Sequence, residues 1–425
     1  MNSDSRLTAC LVALNAGPAI TPHIAGRIGG LETRAWQFAR GLSRRGVDAQ
    51  FVVRLPRRPV EECVDGVQVI PLLDRLYPIR EAARMCVGKR RGFPWIEMHR
   101  WRPQLLWQLP LLAVERVIQG GPTDPWRPDE RLRSLKTDVY CTFGVQSHSA
   151  TVLASARAAG RPCVLVLGSD GDLDERYTRE STFISPYGDA GHVCWRILQE
   201  ADAIVAQTTA QAGMLRERFG REATVIRNPV DVAEWDARRM PAASVDECAG
   251  LERFVLWVGR AESVHKRPLV CLDVARRCPE LQFLMIMNPR DPQVEASVRR
   301  EAPPNVRILS AVPFARMPAV FARASAFVNT SSLEGFPNVF LQAAISRVPI
   351  AALEVGAEFL QHIGCGDYAN GNLAALCDAL RRFWREGAGP GQLEAARETV
   401  IREHGLAETT AALAGVLAGV KERRQ

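Results

Sequence analysis

The chain has 425 residues, 47% of them hydrophobic and 24% charged, which excludes the disordered, collagenous and disulfide-scaffold classes. Single cores rarely grow beyond roughly 250 to 300 residues, so at least two domains are expected. The net charge is +7, and only four of the 54 basic residues are lysine: Lys89, Lys136, Lys266 and Lys421.

Apolar, β-branched runs alternate with helical patterns along the whole chain, the signature of βαβ units and parallel sheets. The first series of strands is expected at Thr8–Asn15, Asp48–Arg54, Val67–Leu73, Asp138–Phe143, Pro162–Gly168, Asp202–Gln207 and Thr224–Arg227. A second series follows at Phe254–Gly259, Gln282–Met287, Val306–Val312, Ala324–Thr330 and Val348–Leu353. The polar, Ala/Pro-containing stretch VDVAEWDARRMPAASVDECAG between them reads as a linker. The pattern predicts a first Rossmann-like domain over 1–235 and a second over 236–405. Near 80–128 the alternation breaks. There Arg, Trp and aliphatic residues crowd together, as in a mostly helical insert that packs on its own domain or seats an acidic headgroup or membrane surface.

No apolar stretch reaches the ~18 to 20 residues of a bilayer span. The amino terminus lacks the basic region, apolar core and cleavage site of a secretory signal, so a cytoplasmic protein is expected. The 11 cysteines include no Cys-x-x-Cys pair, which favours buried thiols over a zinc site or a disulfide framework.

Gly29 and Gly30 precede a helix whose Leu31, Ala35, Phe38, Ala39 and Leu42 share one face. Glycine at a helix start permits close approach of a ligand, and the dipole end favours phosphate. The spacing is not that of a dinucleotide fingerprint. Further on, the strand FVLWVGR ends in Arg260, with Lys266 six residues later and Arg267-Pro268 opening a helix. Two cations at the carboxyl end of a parallel strand suit a diphosphate. In NTSSLEGFPNVFLQAAISRVPIAAL a strand end leads through Glu334, Gly335 and Phe336 into a helix that starts at Pro337, with Asn338 and Gln342 on one face. A carboxylate beside free backbone amides can hold sugar hydroxyls and phosphate together.

These segments, in this order and spacing, resemble those of the family-four retaining glycosyltransferases. The resemblance implies the GT-B fold, two Rossmann-like domains facing each other across a cleft. It also implies transfer of a sugar from a nucleotide-diphosphate donor to an acceptor hydroxyl, with retention and without a metal or other cofactor. By the same resemblance Gly29 and Gly30 approach the diphosphate, Arg260 and Lys266 neutralise it, and Glu334 with the amides after it holds the donor sugar. The helix over 406–425 returns to the first domain. The acceptor would be a glycan, a lipid-linked glycan or a small aglycone in glycan or glycoconjugate biosynthesis, with peripheral contact at the inner membrane face and no nucleic acid.

The chain departs from the family in two places. The second glutamate of the family's motif is Gln342 here, and the histidine many members carry in the first domain is replaced by the loop Ser169-Asp170-Gly171. Asp170 is the candidate substitute, with Ser169, and His148 in the loop after the preceding strand is a second candidate for contact with sugar or acceptor. The run Asp170, Asp172, Asp174 fits neither a calcium loop, which would want Gly at 175 and Glu at 181, nor the Asp-x-Asp of one-domain transferases. A solvated acidic loop is expected. Gln342 and the absent histidine leave two alternatives, a catalytically silent nucleotide-sugar-binding protein and a nucleotide-sugar epimerase.

Overall fold

The computed structural model describes residues 6–20, 29–59, 61–89, 96–98, 100–118, 124–185, 188–239 and 246–424. Two compact units form. The first comprises residues 1–83, 103–229 and 406–425, and the second comprises 84–102 and 230–405.

The first unit is built on eight strands: β1 (Thr8–Val12), β2 (Asp48–Leu55), β3 (Cys63–Val64), β4 (Val67–Leu73), β5 (Val139–Phe143), β6 (Cys163–Val166), β7 (Ala203–Ala206) and β8 (Thr224–Val225). Their order in the sheet is β8-β7-β6-β5-β1-β2-β4-β3, all parallel except the short β3. Both faces are covered, so β5 reads VYCTF with every residue buried. Alternation still decides which side each residue serves. Ala9 and Leu11 of β1 join the core beneath the Gly30–Arg44 helix, and Cys10 and Val12 join the opposite one.

That helix is covered in turn by the helix Leu406–Arg424, whose Leu413, Leu417 and Val420 share the core with Phe38 and Leu42. The two helices approach so closely at Gly41 that a Cβ there would lie 2.2 Å from Thr410 Oγ1.

The second unit has six parallel strands: β9 (Val255–Arg260), β10 (Phe283–Asn288), β11 (Val306–Leu309), β12 (Ala326–Asn329), β13 (Ile350–Ala352) and β14 (Gly366–Tyr368). Their order is β11-β10-β9-β12-β13-β14. Counted from its first strand, each sheet runs outward one way and then the other, the doubly wound pattern. Ligands of such sheets bind beyond the carboxyl ends of the strands where the direction reverses. The reversal lies between β1 and β5 in the first unit and between β9 and β12 in the second.

Two regions differ from the sequence reading. The stretch read as a linker contains the helix Val232–Arg239, and Trp235, only 4% exposed, sits in the core of the second unit with its Nε1 donating to Ser346 Oγ at 2.9 Å. The compact units accordingly divide at Pro229 rather than at 235. The stretch near 80–128 is mostly helical among its described residues, but it is not one inserted lobe. The helix Leu105–Ile118 belongs to the first unit, whereas 84–102 clusters with the second and carries an antiparallel pair, Val87–Lys89 with Ile96–Met98. Ten of the 11 cysteines are buried thiols, Cys63 being the exposed one.

Candidate functional site

In the second unit the reversal point gathers the residues singled out by sequence. Arg260 is the last residue of β9 and is exposed, with no acidic partner among the described residues. The chain then turns on Glu262, whose carboxylate accepts from the amides of His265 at 3.0 Å and Lys266 at 2.6 Å. The turn aims the Lys266 ammonium at Glu334, and the two form an ion pair on side chains only 16% and 15% exposed. Ser331 Oγ donates to the same Glu334 oxygen at 2.9 Å.

Behind this pair lies a rigid frame. Thr330, just past β12, donates its hydroxyl to the Lys266 carbonyl at 2.9 Å and accepts from Trp257 Nε1 at 3.0 Å. The Trp257 ring is wedged under Gly259, where a Cβ would come within 2.6 Å of it. Arg267, the next residue after Lys266, has φ 48°, a left-handed conformation uncommon outside glycine. It is held there by its Nε bond to the Thr330 carbonyl at 2.8 Å and its ion pair with Glu354 at 2.9 Å. Strain of this kind concentrates at functional sites because surrounding contacts must over-determine it.

The segment after Glu334 offers donors. Among the described residues the backbone amides of Glu334, Gly335 and Phe336 donate to nothing, and the helix Asn338–Ile345 starts directly behind them. Pro337 is the residue before that helix rather than its first position. The Phe336 ring is turned into the core, 5.5 Å from Phe359 and 5.2 Å from His404, so only its backbone is left for a ligand. Asn338 and Gln342 are both partly buried on one face, as their spacing requires. A separate cavity, lined by Leu360, Gln361, Asp367, Tyr368 and Arg382, lies at the edge strand β14 and includes none of these residues.

The first unit holds the other candidates. Gly29 caps the Gly30–Arg44 helix with an ordinary extended backbone, φ −110°, and the Glu32 carboxylate folds back over it, 2.3 Å from where a Cβ would stand. His148 is not in a loop; it lies in the first turn of the helix Ser147–Ala158. Burial pushes its imidazole down to about 4, against the pull of Asp189.

The acidic run is not solvated. Asp170, beside Ser169 at the start of a single 3-10 turn, accepts from Gln211 Nε2 at 2.9 Å, and burial raises its pKa. Asp174 pairs with Arg176. Asp172 is 6% exposed and accepts from the Gly168 amide at 2.6 Å, as well as from the amides of Val145 and Ser169. It therefore ties the end of β5 to the end of β6. Burial lifts its pKa to about 6 despite those bonds and the nearby Arg34.

Arg34, 4% exposed, donates to Asn228 Oδ1 at 2.9 Å and to the Leu167 carbonyl at 2.6 Å, while its Nε has no partner. Sequence reasoning passed over Arg34 and Glu262, and placed Asp172 in a solvated loop. In an Arg-rich chain no local signal separates Arg34 from surface arginines, although its position four residues after Gly30 on the buried helix face was available.

Two doubly wound α/β units, the second with a Lys–Glu pair, an unpaired arginine and free amides at its reversal point, have the make-up of a GT-B glycosyltransferase. A family model described as Glycosyltransferase Family 4 matches residues 28–234, and one described as Glycosyl transferases group 1 matches residues 252–386. The chain belongs to this family of glycosyltransferases.

Solved structures agree in fold. Sucrose-phosphate synthase from Thermosynechococcus elongatus is 16% identical, with a TM-score of 0.67 over 98% of this chain and 99% of that one. Anabaena HepE, solved in complex with UDP and glucose, is 14% identical, with a TM-score of 0.62 over 97% and 100%. A glycosyltransferase from Rickettsia africae is 13% identical, with a TM-score of 0.63 over 98% of each chain. No curated protein sequence matches the chain. Among the described residues no helix is long and apolar enough to cross a membrane.

Proposed function

We propose that the protein transfers a sugar from a nucleoside-diphosphate donor to an acceptor hydroxyl, with retention of configuration and without a metal ion. The observation that carries this reading is the unpaired Arg260 beside the Lys266–Glu334 pair at the reversal point of the second sheet. The donor then lies on the second unit. As the glycosidic bond breaks, negative charge grows on the departing diphosphate. Arg260, Lys266 and the amides of residues 334–336 stabilise that charge more than they stabilise the intact donor. Glu334 orients the ammonium and receives donor-sugar hydroxyls.

The complex of HepE with UDP and glucose supports a uridine nucleotide as the first donor to try. In the first unit Gly29 and Gly30 are candidates for contact with a phosphate, and Asp170, Ser169 and His148 for contact with a sugar or the acceptor. The acceptor belongs to glycan or glycoconjugate synthesis in the cytoplasm.

Incubation with UDP- and GDP-sugars, with and without EDTA, tests the reading. Release of nucleoside diphosphate at a rate unchanged by EDTA, with an α-linked product from an α-linked donor, is expected. An inverted product removes the retention claim, and a rate abolished by EDTA removes metal independence. Two observations favour a silent binding protein instead: Lys266 is already neutralised by Glu334, and Gln342 lacks the second carboxylate. Saturable donor binding with no turnover of any donor would decide for that reading.

A further inference from the structure

The turn after β6 carries two carboxylates, two residues apart, in opposite surroundings. Asp172 is buried, and its oxygens accept from the amides of Val145, Gly168 and Ser169. Asp170 is only partly buried. Its Oδ1 accepts from Gln211 Nε2 at 2.9 Å, and its Oδ2 has no partner among the described residues. One carboxylate is therefore consumed in holding the turn together, and the other keeps an oxygen open.

What holds Asp170 is itself buried, Gln211 being 0% and Gln207 3% exposed. The backbone N–H of Gln207 reaches the Gln211 side chain at 2.9 Å. An N–H can only donate, so the atom it meets is the carbonyl oxygen, and the NH2 of Gln211 must face Asp170. The Gln207 side chain donates its Nε2 to the Leu167 carbonyl at 3.0 Å, and the same carbonyl accepts from Arg34 Nη2 at 2.6 Å. Arg34, Gln207 and Gln211 thus form a buried polar chain from the helix Gly30–Arg44 to the Asp170 carboxylate. Such a network specifies one arrangement of its members.

Part of this is ordinary helix capping. Thr208 caps the helix Thr209–Phe219 by accepting from the Gln211 backbone amide at 3.1 Å, and Thr208-x-x-Gln211 has the spacing of a capping box. For that purpose residue 211 need supply only an oxygen. Glutamate would supply one and would suit the positive end of the helix better. The NH2 of the glutamine is additional to the cap, and it is given to Asp170.

We propose that Gln211 is a positioning residue: its NH2 pins one oxygen of Asp170 and leaves the other to accept a substrate hydroxyl, of the donor sugar or of the acceptor. This rests on the glycosyl-transfer reading.

Gln211→Glu is the test, since it keeps the cap, and with it the fold, but replaces the donor by a carboxylate. The probes are the UDP- or GDP-sugar that wild type turns over fastest, with water as the acceptor, and the matching free nucleoside diphosphate. If the hydroxyl is the donor sugar's, the Kd for the nucleotide-sugar should rise about tenfold or more while that for the free diphosphate holds. If it is the acceptor's, both Kd values should hold and diphosphate release should slow by the same factor. In acid the introduced carboxyl gains a proton and can donate to Asp170 again, so the defect relative to wild type should shrink as pH falls. Arg218, the charged side chain acting on Asp170, stays charged throughout. Asp170→Asn should show the same defect without recovery in acid.

Wild-type binding and release in Gln211→Glu would overturn the inference and leave Gln211 as a cap. So would a defect of equal size for nucleotide-sugar and free diphosphate, or one that acid does not relieve, since either marks a disturbed fold. Failure of the wild type to turn over any donor would instead remove the glycosyl-transfer reading, and this inference with it.

Discussion

Lys266 and Glu334 neutralise one another, while Arg260, on the same rim, has no acidic partner among the described residues. The two cations that the sequence places together are therefore in different states before any ligand arrives. Arg260 is an open charge. Lys266 is a charge held in a fixed place by a carboxylate that a second anion must share or displace.

Lys266→Ala is expected to lower kcat by about 100- to 1,000-fold, the usual cost of one preplaced donor to a developing anion. It also leaves Glu334 nearly buried with only Ser331 to donate to it, so the melting temperature should fall. The double variant Lys266→Ala/Glu334→Gln should regain the melting temperature but not the rate. Recovery of both would mean that the pair is structural.

Arg260→Ala breaks nothing in the fold, so its melting temperature should match wild type. Loss of a charge-assisted contact costs about 1.5 to 3 kcal/mol, so the Kd for a nucleoside diphosphate should rise roughly 10- to 100-fold in calorimetry. An unchanged Kd would remove Arg260 from the site.

Gln342 is an amide where the family resemblance places a carboxylate. Since charge-assisted hydrogen bonds are roughly twice as strong as neutral ones, Gln342→Glu should tighten nucleotide binding. The readout is a larger thermal shift at fixed nucleoside diphosphate. A smaller shift would mean that the ribose is held elsewhere.

Two buried groups of the first unit give opposing pH dependence. His148 titrates near 4 in the fold and near 6.5 unfolded, so between those values the unfolded state binds more protons and stability rises with pH. Asp172 titrates near 6 folded against 3.8 as its ordinary value, so over that window the folded state binds more and stability falls with pH. Denaturant unfolding from pH 4 to 6.5 should show this directly. Relative to wild type, His148→Gln makes the slope more negative and Asp172→Asn makes it more positive. A shared sign would contradict the assignment.

Much of this was legible in the chain, for physical reasons. The long strands are continuous apolar runs because both faces of each sheet are covered, and Val67–Leu73 was placed with its observed limits. Three kinds of element were not legible. Cys63–Val64 and Gly366–Tyr368 are short edge strands whose pairing is set by neighbours rather than by hydrophobicity. Trp235 looks like linker until the core that receives it exists. Asp172 carries the same side chain as Asp170 and Asp174, and only the approach of Gly168, Val145 and Ser169 makes it the buried one. The pairing of Lys266 with Glu334 likewise spans 68 positions, so the sequence could propose both residues without showing that they meet.

The helix Leu406–Arg424 that covers Phe38 and Leu42 is synthesised long after them. Translation at about 5 to 20 residues per second delivers it on the order of ten seconds or more after the strands it serves, with the whole of residues 230–405 produced in between. Throughout that interval the nascent first sheet carries an uncovered greasy flank. A chaperone that shields such surfaces would find this protein a client early in its synthesis, and a stop codon before residue 406 would leave that flank bare for good.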